Sequence, residues 1–153
     1  MTNKVADKVN QSSAAEIAAH LVCADASFEP CLSSRVDIQA YAQKLQDRAV
    51  RFEAWLDREL VGLVASYCSQ SEKGDAFVTS VSVLPQCQGQ GIADLLMRQC
   101  IEHVRGLGFR QMALEVDQRS VPAVALYRKL GFNTVYRDGL TLIMNMTLEG
   151  KPT

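Results

Sequence analysis

Val81-Ser82-Val83-Leu84-Pro85-Gln86-Cys87-Gln88-Gly89-Gln90-Gly91-Ile92-Ala93-Asp94-Leu95-Leu96 changes character twice within sixteen residues. An apolar, β-branched run stops at a proline, passes through a glycine-rich turn and enters an amphipathic helix. The first N–H groups of a helix have no intrahelical partner and carry the positive end of the helix dipole. Gly89 and Gly91 lack a Cβ, so a ligand can come close to the backbone there. Such a turn suits phosphate oxygens. Two common phosphate motifs do not fit it. A G-x-G-x-x-G fingerprint needs a third glycine where this chain has Asp94, and no Gly-Lys-Ser/Thr follows to complete a P-loop.

Outward from this turn, the pattern alternates strands and helices. Upstream, Val50, Phe52, Ala54 and Leu56 alternate with Arg51, Glu53, Trp55 and Asp57, a strand with one buried face. Asp57-Arg58-Glu59 turns into an apolar strand over 60–68. A polar turn over 69–74 leads to the strand 76–84, completing an antiparallel meander. Further upstream, Ser13 and Glu16 form a capping box for a helix running to about Asp25, with Ala14, Ile17, Ala18, Leu21 and Val22 on its apolar face. A second helix begins near Val36 with Ser34 as its cap; Ile38, Tyr41, Ala42 and Leu45 face inward. Residues 1–11 hold at most a short strand.

Downstream, Ile92, Leu95, Leu96, Cys100, His103, Val104 and Leu107 share a helix face, ended by Gly106 and Gly108. The strand 111–117 follows. Because a helix intervenes, it is expected to run parallel to the strand ending at Leu84. Ser120 caps a further helix with Pro122 in its first turn, and Gly131 stops it. A closing hairpin turns at Asp138-Gly139, with Leu140, Leu142, Met144, Met146 and Leu148 inward. The expectation is one α/β domain over residues 1–153, with a mixed, mostly antiparallel sheet flanked by helices.

Bulk properties narrow the function. The 153 residues are enough for a core without disulfides or metals, and a net charge of −1 gives no general attraction to nucleic acid or anionic membranes. No apolar run reaches a membrane span, and the N-terminus is too polar for a secretory signal. Five widely spaced cysteines without a C-x-x-C pair suit a reducing cytoplasm and give neither a disulfide framework nor a structural metal site.

Gln88-x-x-Gly91-x-Ala93, after a V-x-V-x-P strand end, resembles the pyrophosphate loop of the GNAT N-acetyltransferases. A second segment resembles the same family: Leu114-Glu115-Val116, then Ser120, Ala123, Leu126-Tyr127 and Gly131-Phe132. Loop, tyrosine, Gly-Phe and element order coincide over roughly residues 12–148. The resemblance implies a GNAT fold, with a parallel strand pair framing an acetyl-CoA site. The main chain around Val81, Ser82 and Val83 would pair with the pantetheine arm. Backbone amides of Gly89, Gln90, Gly91, Ile92, Ala93 and Asp94 would hold the pyrophosphate, with the Gln88 side chain nearby. Tyr127 would stand near the thioester sulfur. Ser120 replaces an asparagine that many members carry; it keeps the helix cap but is shorter.

The chemistry needs a proton removed from an amine and one supplied to a thiolate. By periodicity alone Tyr127 is an aromatic on a buried helix face; the resemblance makes it the proton donor. Glu115 is either the base, acting through water, or a solvated strand residue. Glu53 and Asp117 are weaker alternatives for the base, and the carboxylate some members carry four residues before Val81 is here Phe77. His103 reads as a packed histidine, His20 as a surface residue, Cys87 as a semi-exposed bystander; neither histidine has a metal-ligand partner. Trp55 and Tyr41 are packing or pocket residues, and the resemblance places Arg35 and the segment 28–34 toward the acceptor.

The expected reaction is direct acetyl transfer to a small-molecule amine, such as an amino sugar or amino-acid derivative. The alternatives are a protein α-amino group, because the spacing from Glu115 to Tyr127 resembles the ribosomal-protein alanine acetyltransferases, and a non-catalytic acyl-CoA sensor. Dimerisation is common in the family, and the closing hairpin offers an edge for a homodimer.

Overall fold

The computed structural model describes residues 5–68 and 75–148, so the expected turn at 69–74 lies outside the described residues. After strand β1 (Ala6–Val9), Ser13 accepts from the Glu16 amide while Glu16 caps Ser13 in return, and helix α1 (Ala14–Ala24) starts there. Two single 3₁₀ turns occupy the irregular segment before helix α2 (Ile38–Arg48). The α2 cap is Asp37, not Ser34. Its carboxylate accepts from the Gln39 and Ala40 amides, a charged acceptor at the positive end of the helix.

Strands β2 (Val50–Leu56), β3 (Glu59–Tyr67) and β4 (Asp75–Val83) form the meander. Helix α3 (Ile92–Gly106), strand β5 (Gln111–Asp117), helix α4 (Val121–Leu130) and strands β6 (Asn133–Asp138) and β7 (Thr141–Thr147) complete the chain. Among the described residues, seven strands make one sheet in the order β1-β2-β3-β4-β5-β7-β6, in which β4 and β5 are the only parallel neighbours. A helical crossover places β5 beside β4, as expected.

The sheet is covered on both faces. One core, beneath α1 and α2, gathers Ile17, Leu21, Leu45, Leu63 and Ala65; the other, beneath α3, gathers Val64, Leu96, Met97, Met112 and Met144. Both faces of β2 are therefore buried, where its alternation suggested one. Arg51 and Glu53 are buried as a pair 3.4 Å apart. Arg51 donates to the Ser12, Leu45, Gln46 and Ala49 carbonyls, while Glu53 accepts from the Gln11 and Ser12 amides and the Trp55 indole. This network fastens the start of α1 and the end of α2 to β2, and it satisfies the buried charges.

Other positions depart from the pattern reading. On α1 His20 is buried and Val22 exposed. On α3 the buried line is Ile92, Leu96, Met97, Cys100, Ile101 and Val104, while Leu95, Leu107 and His103 face solvent, His103 with its ring edge on Phe52. The cause is on β3. A Cβ at Gly62 would stand 2.7 Å from Ile92 Cγ2, so α3 lies tight against the glycine along the line 92–96. Leu140 in the last turn is exposed and Cys87 is buried, the reverse of expectation.

Candidate active site

Parallel pairing between β4 and β5 runs from Asp75–Gln111 to Val78–Leu114 and then stops. Just there, β4 carries an extra residue against β3, since Ala65 faces Ser80 and Ser66 faces Val78, leaving Thr79 as a bulge. Beyond the bulge the two strands diverge. Leu84 donates its N–H to Val61 on the β3 side. By alternation the polar groups of Val81 and Val83 point the other way, into the gap. An unpaired strand edge of this kind accepts an extended amide-bearing chain.

The gap opens into a cleft of about 890 Å³. Of the expected site residues, Val81, Ser82, Val83, Gln88, Gly89, Gly91, Ile92, Ala93, Asp94, Glu115, Ser120 and Tyr127 all line it; Gln90 does not. Phe28, Glu29, Pro30 and Arg35 also line it, whereas residues 31–34 of the segment expected toward the acceptor do not. Glu53 lies in the buried network instead, and neither Trp55 nor Tyr41 lines the cleft. The Tyr41 hydroxyl contacts Thr79 at the bulge.

At the cradle, Gly89 and Gly91 have φ of +80° and +79°, and open space surrounds the position of a Cβ at each. Gly91 is the α3 cap residue and has no side chain to occupy the first amides. They remain available to an anion. The Gln88 side chain is differently engaged from expectation, donating to the Val83 carbonyl at 3.2 Å and tying the loop to its strand. Asp94 is held by Arg98 at 2.5 Å and Lys129 at 2.8 Å, which neutralises a carboxylate beside the cradle and links α3 to α4; these cations hold its carboxyl below the usual range.

At the other end, Tyr127 is 6% exposed, edge-on to Phe132, and its hydroxyl makes no hydrogen bond to a described residue. Burial pushes its phenol up, so it keeps its proton. Glu115 is exposed in the cleft. Asp117 is taken up by Arg119, which holds its carboxyl down at about 2 and reaches Glu29 at 3.5 Å across the cleft mouth. A carboxylate so committed is a poor base. Ser120 occupies the α4 cap position, but its side chain makes no capping bond, contrary to expectation; its backbone (ψ 69°) is turned away from the extended cap geometry.

Sequence reasoning missed His20. It sits 3% exposed with Nδ1 2.8 Å from the Leu60 carbonyl and Nε2 2.7 Å from Ser82 Oγ. A signal existed, since Ile17, His20, Leu21 and Ala24 have buried-stripe spacing.

A model of the acetyltransferase (GNAT) family matches residues 17–132. A mycothiol acetyltransferase of Saccharomonospora viridis is 40% identical over 65 residues, 42% of this chain and 21% of that protein. The match thus spans about a fifth of that relative. The ribosomal-protein-S18-alanine N-acetyltransferase of Escherichia coli shares the fold at a TM-score of 0.71 and 18% identity, over 99% of this chain and 97% of its own. So does the PaiA N-acetyltransferase of Thermoplasma acidophilum in complex with coenzyme A, at 0.70 and 14%, over 93% and 99%. The matched segment contains the diverging strands, the glycine cradle and Tyr127: the chain belongs to the GNAT acetyltransferase family, whose cosubstrate is acetyl-CoA.

Proposed function

We propose that residues 1–153 form one cytoplasmic N-acetyltransferase domain that moves an acetyl group directly from acetyl-CoA to the primary amine of a small molecule, an amino sugar or amino-acid derivative. The observation that carries the proposal is one continuous path. It runs from the open amides at Gly91, along the β4 edge that β5 leaves at Val81 and at the Val83 N–H, to the Tyr127 hydroxyl, which bonds no described residue. Acetyl-CoA supplies the activated acetyl thioester.

The chain's own groups do the rest. Amides at the start of α3 bind phosphate oxygens, and the β4 edge positions an amide-bearing arm. Backbone N–H groups near Val83 polarise a carbonyl in the gap. Glu115 takes the amine's proton through water, since no ion pair among the described residues occupies it. Tyr127 holds a proton ready for the leaving sulfur; desolvation keeps its phenol neutral.

Tyr127→Phe tests this directly. Turnover is expected to fall about a hundredfold, with acetyl-CoA affinity within about twofold of wild type by calorimetry. Unchanged turnover would remove Tyr127 from the chemistry. A wild-type protein that binds acetyl-CoA and transfers to nothing would instead be a sensor. A protein α-amino group is the second reading, favoured by the spacing from Glu115 to Tyr127.

A further inference from the structure

We propose that Ser82 is the group that meets the acceptor amine, accepting a hydrogen bond from its N–H, and that His20 is the positioning residue that fixes Ser82 for this task. The proposal rests on the acetyl-transfer reading above and adds to it where the acceptor nitrogen is held.

The argument begins with the histidine ring. A backbone carbonyl can only accept, so Nδ1, 2.8 Å from the Leu60 oxygen, carries the hydrogen. His20 is 3% exposed, and burial lowers its pKa against the opposing effect of the Leu60 bond, which favours the neutral ring. Its Nε2 then has a lone pair and takes the hydroxyl hydrogen of Ser82 at 2.7 Å. A free serine hydroxyl rotates and can present either a donor or an acceptor. Ser82 has its hydrogen committed on the helix side, so only oxygen lone pairs remain for the cleft that it lines.

Position agrees with polarity. Val81 and Val83 pack toward the core shared with α3, so Ser82 lies on the opposite face, toward α1. Phe28, Pro30 and Arg35 close the cleft on the α1–α2 side. On β5, Leu114 is in the α3 core, and alternation turns Glu115 the other way. Ser82 and Glu115 thus face the same compartment from the two diverging strands. An amine there gives one N–H to Ser82 and loses its proton toward Glu115, leaving its lone pair for the acetyl carbon.

Two readouts test this. The first is long-range ¹⁵N–¹H correlation of the His20 ring in the full chain at pH 7, which needs no turnover. A neutral ring protonated at Nδ1, with its Nε2 signal displaced in Ser82→Ala, is expected; an Nε2–H tautomer or a charged ring overturns the proposal. The second is steady-state kinetics. Ser82→Ala is expected to lower kcat/KM for the amine about tenfold while KM for acetyl-CoA stays within about twofold, and Ser82→Thr, which keeps the oxygen, recovers most of the loss. His20→Phe is expected to match Ser82→Ala, with no further loss in the double variant. Amine kinetics unchanged in Ser82→Ala, or an equal loss toward acetyl-CoA, overturns the proposal while leaving acetyl transfer standing. No acceptor-dependent turnover in the wild type overturns both.

Discussion

Tyr127 and His20 are both buried, and burial acts on them in chemically opposite ways. A neutral phenol is a donor, so desolvation preserves the function assigned to Tyr127; a neutral imidazole is an acceptor at Nε2, so desolvation preserves what Ser82 requires. His20 also has a consequence for stability. Its folded pKa lies below the ordinary 6.5, so on acidification the unfolded chain takes up a proton first. The stabilisation is complete above about 6.5 and is lost as pH falls from there through the folded value. Thermal melts from pH 7 to 5 are expected to show a declining Tm for the wild type and a shallower decline for His20→Gln. At this scale Tyr127 and Glu115 were legible because two short motifs carry them. His20 was not, because the partner that explains it, Ser82, is 62 residues away and on another element.

The elements place these residues through two close contacts. Gly62 lets the first turn of α3 lie on β3, which sets where the cradle amides point. Gly62→Ala puts a methyl 2.7 Å from Ile92 Cγ2, 3.2 Å from Ala54 and 3.3 Å from Leu96. Overpacking of this kind costs about 1–3 kcal/mol. The expected outcome is a lower Tm together with a higher KM for acetyl-CoA, because the displaced turn carries the anion site. The second contact is the Arg51–Glu53 network. Glu53→Ala leaves Arg51 buried without its partner, and a loss of about 3–5 kcal/mol is expected by chemical denaturation. KM for acetyl-CoA should stay near wild type, since Glu53 does not line the cleft. Strand and helix order, the capping box and the parallel crossover were all readable from periodicity and caps. The two buried faces of β2 were not. Arg51 and Glu53 look solvent-facing until α1 and α2 supply the carbonyls and amides that satisfy them. The register of α3 was ambiguous for a related reason: its apolar residues outnumber one face, and Gly62 selects the line that is buried.

The molecule as a whole separates holding the sheet together from opening it. Among the described residues, five of the six neighbouring strand pairs run along most of their length, whereas β4 and β5 pair with each other over only four residues and then diverge. The cleft is the outcome of that divergence, with the glycine turn at one end and Tyr127 inside it. Among the described residues, no helix is long and apolar enough to cross a membrane. The sequence showed the loop and the tyrosine. It could not show the bulge at Thr79 that separates the strands, because a bulge is a mismatch between two strands and neither one reveals it alone.

The most direct test is release of free thiol from acetyl-CoA by the purified full chain, measured across amino sugars, polyamines, amino acids and short peptides. Acceptor-dependent release with at least one small amine, abolished when the amine is omitted, is the expected result. Release with peptides alone would move the acceptor to a protein α-amino group. Tight acetyl-CoA binding with no release for any acceptor would contradict the account.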